Sequence, residues 1–170
     1  MANVDLSRVP EYYHKYINYA KDDDLETAFE RHQKDLVSFL KDIPKKKWDY
    51  RYGEGKWSVK EVVQHVIDAE RIFAYRALRF ARKDQTPLPS FDENLFASNA
   101  RADQRKKKDL LQELATVQKS SAFLFKSFDE EQLDQSGIAS GQLTYVKGIG
   151  YIIVGHAVHH KNVLTERYLK

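Results

Sequence analysis

Asp84-Gln85-Thr86-Pro87-Leu88-Pro89-Ser90-Phe91-Asp92-Glu93-Asn94-Leu95-Phe96-Ala97-Ser98-Asn99-Ala100-Arg101-Ala102-Asp103 is the stretch on which the topology turns. It separates two helical patterns by 20 residues, whereas links between neighbouring bundle helices take about 2–8. A connection this long can run the length of a bundle, so the helices on either side of it are expected to be parallel. Pro87-Leu88-Pro89 keeps its first part out of a helix. Long ordered connections also serve as lids or pocket walls, and Phe91, Asp92 and Glu93 leave that use open beside a plain crossover.

Upstream, Trp57-Ser58-Val59-Lys60-Glu61-Val62 opens the second helix. Ser58 is a good N-cap, Glu61 completes a capping box, and Trp57 can staple onto Val62. The apolar stripe Val62, Val63, Val66, Ala69, Phe73, Ala77 and Phe80 carries the helix towards Pro87, with His65 inside it. The first helix reads Leu25, Ala28/Phe29, His32, Leu36, Phe39/Leu40 and Ile43, between Asp22-Asp23-Asp24 and the Pro44 stop. Downstream of the connection, Leu110/Leu111, Leu114, Val117, Ser121, Leu124/Phe125 and Phe128 form the third, which breaks in the polar stretch from Asp134 to Gly141. The fourth follows Thr144. Glu11 to Ala20 can form a short extra helix, and no strand-like alternation is evident. The expected fold is all-α: one domain, residues 1–170, in which four helices bury four apolar stripes and residues 1–20 pack on the bundle. The long crossover sets helix three parallel to helix two, and a short link then turns helix four antiparallel to it.

Hydrophobic residues make up 42% and aromatics 12% of the 170 residues, enough for a continuous core, while 31% charged residues imply a solvated exterior. A net charge of +3 says little about anionic partners. With no cysteine there is no disulfide, thiolate ligand or cysteine nucleophile. Met1 to Pro10 lacks the apolar run of a signal peptide, and no segment approaches the roughly 18 apolar residues of a membrane span. A cytoplasmic protein with no membrane partner is expected.

On the fourth helix the inward stripe runs Ile149, Ile152/Ile153, His156, His160, Val163/Leu164, so two imidazoles replace aliphatic residues one turn apart. Such an i, i+4 pair gives a metal two nitrogens from one helix. With the crossover topology, His65 lies about 10 Å from the start of helix two and the pair about 16 Å from the end of helix four, at similar heights in an antiparallel alignment. The rival reading is a set of hydrogen-bonded core or surface histidines, and His32, also on an apolar stripe, is expected to be one. His159 is expected beside the site or exposed, and His14 on the surface. Asp68, Glu61 and Glu70 are near enough to His65 to orient it, or are solvated helix charges. Gly148, Gly150 and Gly155 suggest room for a ligand or close helix packing.

Gly53-Glu54-Gly55-Lys56-Trp57-Ser58-Val59-Lys60-Glu61-Val62-Val63-Gln64-His65-Val66-Ile67-Asp68-Ala69-Glu70-Arg71, with the late Gly155-His156-Ala157-Val158-His159-His160, resembles the DinB/YfiT-like superfamily. The match runs from Val9-Pro10-Glu11-Tyr12-Tyr13 to Glu166-Arg167-Tyr168-Leu169. The resemblance implies an up-down-down-up four-helix bundle, commonly a homodimer, with a divalent metal held by His65, His156 and His160. Nickel or zinc is the first expectation for that metal; manganese, iron or cobalt also suit three imidazoles. Relatives include thiol-dependent S-transferases, a thiol-dependent isomerase and proteins described as metal-dependent hydrolases. Where some relatives continue with Arg-Gly-Gln, this chain has Lys161-Asn162-Val163, so a subgroup's substrate does not carry over.

The expected function is activation of a low-molecular-weight thiol or of water against a small electrophilic substrate at an open three-histidine site. The alternative is a non-catalytic, stress-related binding or scaffold protein whose metal is structural or absent. Lys45-Lys46-Lys47 and Arg105-Lys106-Lys107-Lys108 raise phosphate-backbone binding. Acids elsewhere balance them and no recognition helix accompanies them, so no nucleic-acid partner is expected. No serine or carboxylate pair is arranged as a nucleophile or base, so no protein catalytic residue is assigned.

Overall fold

The structure, a computed structural model, describes residues 4–170, with the backbone alone at His32. The expectation for the His32 side chain therefore lies outside the described residues. A short N-terminal helix, α1 (His14–Ile17), precedes the long α2 (Leu25–Asp42), where Asp24 accepts the Thr27 N–H at 2.9 Å. In α3 (Val59–Ala81) the capping box is complete: Ser58 accepts the Glu61 N–H and Glu61 accepts the Ser58 N–H. We expect Ser58→Ala to lower stability by about 1 kcal/mol in urea unfolding. A shift under about 0.3 kcal/mol would assign the helix start to Glu61 and its Arg51 partner instead.

The crossover is not loop throughout: it holds a short α4 (Glu93–Asn99), capped by Asp92. Beyond it come α5 (Lys107–Lys126) and the single turn α6 (Glu130–Asp134). Last is α7 (Val146–Val163), which widens into a π-type turn over Leu164–Tyr168. Which ends meet fixes the directions. Lys126 at the end of α5 pairs with Glu26 at the start of α2, and Lys107 donates to the carbonyls of Lys41 and Ile43, so α2 and α5 are antiparallel. Lys60 reaches the Asp103 carbonyl and Arg71 pairs with Glu113, so α3 and α5 are parallel. The Tyr168 hydroxyl donates to the Trp57 carbonyl at 2.7 Å, bringing the end of α7 to the start of α3. Tyr151, early in α7, donates to the Asp23 carbonyl just ahead of α2, so those two helices are parallel.

Between the four long helices lie two apolar clusters, one around Ile17, Phe29, Phe80 and Tyr151, the other around Leu40, Trp48, Ile67 and Leu114. Burying each such side chain contributes about 1.5–3 kcal/mol. One strand pair corrects the helix-only expectation: β1 (Ser136–Ala139) and β2 (Gln142–Tyr145) form an antiparallel hairpin. Its two-residue turn has positive φ at Ser140 (54°) and Gly141 (76°), the backbone twist that fits tight hairpins. The crossover docks on it through Leu88 N–H to the Ile138 carbonyl and Ser140 N–H to the Leu88 carbonyl.

Gly148 and Gly150 face Val9, Tyr145, Leu25 and Phe125, so close packing rather than ligand space accounts for them. Lys45 from the first basic cluster and Arg105 to Lys108 from the second line one groove beside Trp48, together with Lys41 and Lys60. Several of these cations are engaged, Lys60 with Asp49 and Arg105 with Glu113. Among the described residues no helix is long and apolar enough to cross a membrane.

Candidate metal centre

Each of the three histidines owes its place to local structure first. The capping box starts α3 at a defined residue and so sets His65 two turns in. The i, i+4 spacing puts His156 and His160 on one face of α7. Antiparallel packing of α3 on α7 then brings the faces together. The His156 Nε2 lies 3.1 Å from the Nε2 of His65 and 3.0 Å from that of His160. One atom from each ring lies within 4.8 Å of the others, and among the described residues no carboxylate joins the group.

Three nitrogens this close suit a shared acid, because neutral rings that carry their protons on Nδ1 turn bare Nε2 lone pairs towards one another. His156 Nε2 lies close enough to both neighbours for one ion about 2.1 Å from each nitrogen to be shared among the rings. The rings are also neutral: burial lowers the His65 pKa to about 4 and holds those of His156 and His160 well below their usual value. Neutral imidazoles keep the lone pair a metal needs. The Nδ1 of His160 is buried without a hydrogen-bond partner, so its outward nitrogen is oriented by packing rather than by an acceptor.

None of the proposed orienting carboxylates touches a histidine in the interactions observed. Glu61 is occupied by Ser58 and Arg51. Asp68 accepts from Gln64 at 2.9 Å. Glu70 points into the core, where burial raises its pKa to about 7. Helical spacing alone could not separate these outcomes, because all three lie within a turn or two of His65. His14 is also corrected: rather than lying on the surface, it is half-buried, with Nε2 2.9 Å from the Val9 carbonyl and 3.0 Å from that of Leu6.

The centre opens into a cavity of roughly 290 Å³. Trp57 covers His65 with ring centroids 4.9 Å apart, and Tyr16 meets His156 edge-on at 5.5 Å and His159 at 5.1 Å. The N-terminal segment is thus a wall of the site. So is the crossover, through Phe91 and Glu93. The sequence reading missed Tyr16, Lys15 and Arg76 as cavity residues; the tyrosine-rich run at Tyr12, Tyr13 and Tyr16 was the available signal.

A four-helix bundle that gathers three imidazoles at the mouth of an aromatic cavity defines a class of helical-bundle proteins with a candidate histidine metal centre. The model of the DinB superfamily matches residues 28–164, and the chain belongs to that superfamily. It is 26% identical over 112 residues to a protein of Oceanobacillus iheyensis named "Putative metal-dependent hydrolase OB0413", covering 64% of this chain and 63% of that protein. The chain thus matches less than two thirds of that relative's length. YfiT from Bacillus subtilis has a similar fold, with a TM-score of 0.73 at 16% identity over 93% of this chain and 87% of YfiT. That structure is described as a probable metal-dependent hydrolase with an unusual four-helix bundle topology.

Proposed function

We propose that His65, His156 and His160 hold one divalent metal ion, nickel or zinc before manganese, iron or cobalt, in an enzyme acting on a small electrophilic substrate. The observation that carries this is the convergence of three neutral Nε2 atoms from two helices. Structural zinc sites are closed by four protein ligands, whereas this one has three and faces a cavity, which favours catalysis over a purely structural role. When bound, the ion supplies Lewis acidity and lowers the pKa of a water or thiol, so that a nucleophile exists at neutral pH.

The chain's own residues supply the rest. The three rings stay unprotonated because the site is buried, and Trp57, Tyr16 and Phe73 exclude bulk water from one side of it. Hydrolysis by water and S-transfer from a low-molecular-weight thiol use the same open position. The names of the relatives favour the first, and the room beside the histidines accommodates either. A homodimer and a cytoplasmic setting belong to the same proposal, and sedimentation equilibrium tests the former.

Untagged protein reconstituted with Ni²⁺ or Zn²⁺ should carry one ion per chain. In His65→Ala and His160→Ala the affinity should fall by at least the 10–100-fold that losing an outer partner costs. Unchanged metal content in both variants would remove the centre. A parallel screen of esters, amides and thiol acceptors with loaded protein separates hydrolysis from S-transfer.

A further inference from the structure

We infer that the cavity takes a substrate carrying a carboxylate, with the Arg76 guanidinium as its receptor; this rests on the proposed metal-centred reaction and names its substrate class. Arg76 is only 4% exposed, yet no carboxylate lies within ion-pairing distance of it among the described residues. Its observed partners are uncharged, the Pro89 carbonyl at 2.7 Å and the Ser140 hydroxyl at 3.0 Å, with the Tyr13 hydroxyl nearby. Removing a cation from water without a counter-ion is strongly unfavourable, and buried charges are ordinarily paired. Here the unpaired cation lines the same cavity as the three histidines.

Position and surroundings point the same way. Arg76 follows His65 by 11 residues on α3, close to three full turns, so both side chains leave the same face of that helix. The Phe73 ring lies between the two centres, 6.0 Å from the His156 ring and 6.0 Å from the guanidinium carbon. A ligand lying along Phe73 would meet the histidines at one end and Arg76 at the other. Lys15 adds a second cation to the cavity wall, 4.6 Å from the Tyr12 ring and 4.8 Å from the Tyr16 ring. Among the described residues Glu93 is the one acid on the wall. Cationic ends and aromatic sides fit a small, flat or apolar body bearing a carboxylate, which guanidinium binds through two parallel N–H donors.

Benzoate and its neutral isostere benzamide test this by NMR titration of metal-free and Zn²⁺-loaded protein. Wild type should bind benzoate about tenfold or more tightly than benzamide in both forms, the difference a charge-assisted hydrogen bond makes. Arg76→Gln should bring the ratio near one, and Arg76→Lys should restore part of it. Equal binding of the two probes by wild type, or an undiminished ratio in Arg76→Gln, overturns the inference. If Arg76→Gln does not fold, the wild-type ratio and Arg76→Lys decide. A preference present only with Zn²⁺ assigns the carboxylate to the ion and also overturns it. Zinc titration of the same samples reads the metal centre separately: no zinc uptake with an intact benzoate preference would reject that centre while leaving the Arg76 anion site standing.

Discussion

Gly155→Ala should destabilise the protein by at least about 3 kcal/mol, the upper range for overpacking a core. A Cβ at this position would lie 1.9 Å from the Tyr16 carbonyl oxygen and 2.3 Å from its carbon. Those are backbone atoms, so no rotamer change relieves the clash; α1 must move off α7. At about 2–4 °C per kcal/mol for a chain of this size, the melting temperature should fall by roughly 6–12 °C. Because Tyr16 contacts both His156 and His159, cavity ligands should weaken as well. Gly53→Ala is the control, since a Cβ there meets only Lys56 Cγ at an ordinary 3.6 Å. Equal urea midpoints for the two variants would mean that α1 does not hold to α7 in solution as it does in the structure.

The second large effect concerns Glu70, which sits 3% exposed in the bundle core. Its Oε1 and that of Gln118 lack partners around a cavity of roughly 10 Å³, and the neighbouring Ser121 hydroxyl donates to the Val117 carbonyl. Burial raises its pKa from 4.5 to about 7. An acid whose folded-state pKa is raised binds its proton more tightly when folded, so its protonated form stabilises the fold below the unfolded value. That contribution declines as pH rises from 4.5 and is lost by about pH 7. At about 1.4 kcal/mol per pKa unit, wild type should lose about 3 kcal/mol between pH 4.5 and 8 through this one group. Glu70→Gln, neutral at every pH, should lack this decline and be the more stable protein at pH 8. Urea unfolding of both across pH 5–8 measures the difference. Parallel curves would place the carboxylate in contact with water or a cation rather than in a dry core.

Most helix starts and stops were legible because they are short-range: Asp24, Ser58 with Glu61, and Pro44 act within a single turn. The His156/His160 pair was legible for the same reason. The hairpin was not, because four-residue strands show too little alternation to register; Ser140-Gly141 between Ala139 and Gln142 was its only local mark. α4 escaped because its seven residues sit in a segment read as a connection, although Asp92 caps it as Asp24 caps α2. Asp68, Glu61 and Glu70 could not be sorted by spacing, since their surroundings, Gln64, Arg51 and the core beside Ser121, are set partly by which neighbouring element faces them.

What the chain determines by itself is a set of amphipathic helices with defined ends, a pair of imidazoles one turn apart on the last, and a connection long enough to cross the bundle. These follow from backbone hydrogen bonding and side-chain periodicity, which act over a few residues. Tertiary structure alone decided that His65 meets His156 of that pair at 3.1 Å, that Tyr16 and Phe91 wall the site, and that Arg76 is buried there with no carboxylate within ion-pairing distance among the described residues. The His65–His156 contact alone joins residues 91 positions apart in the chain, and such relations exist only once apolar faces have chosen their neighbours.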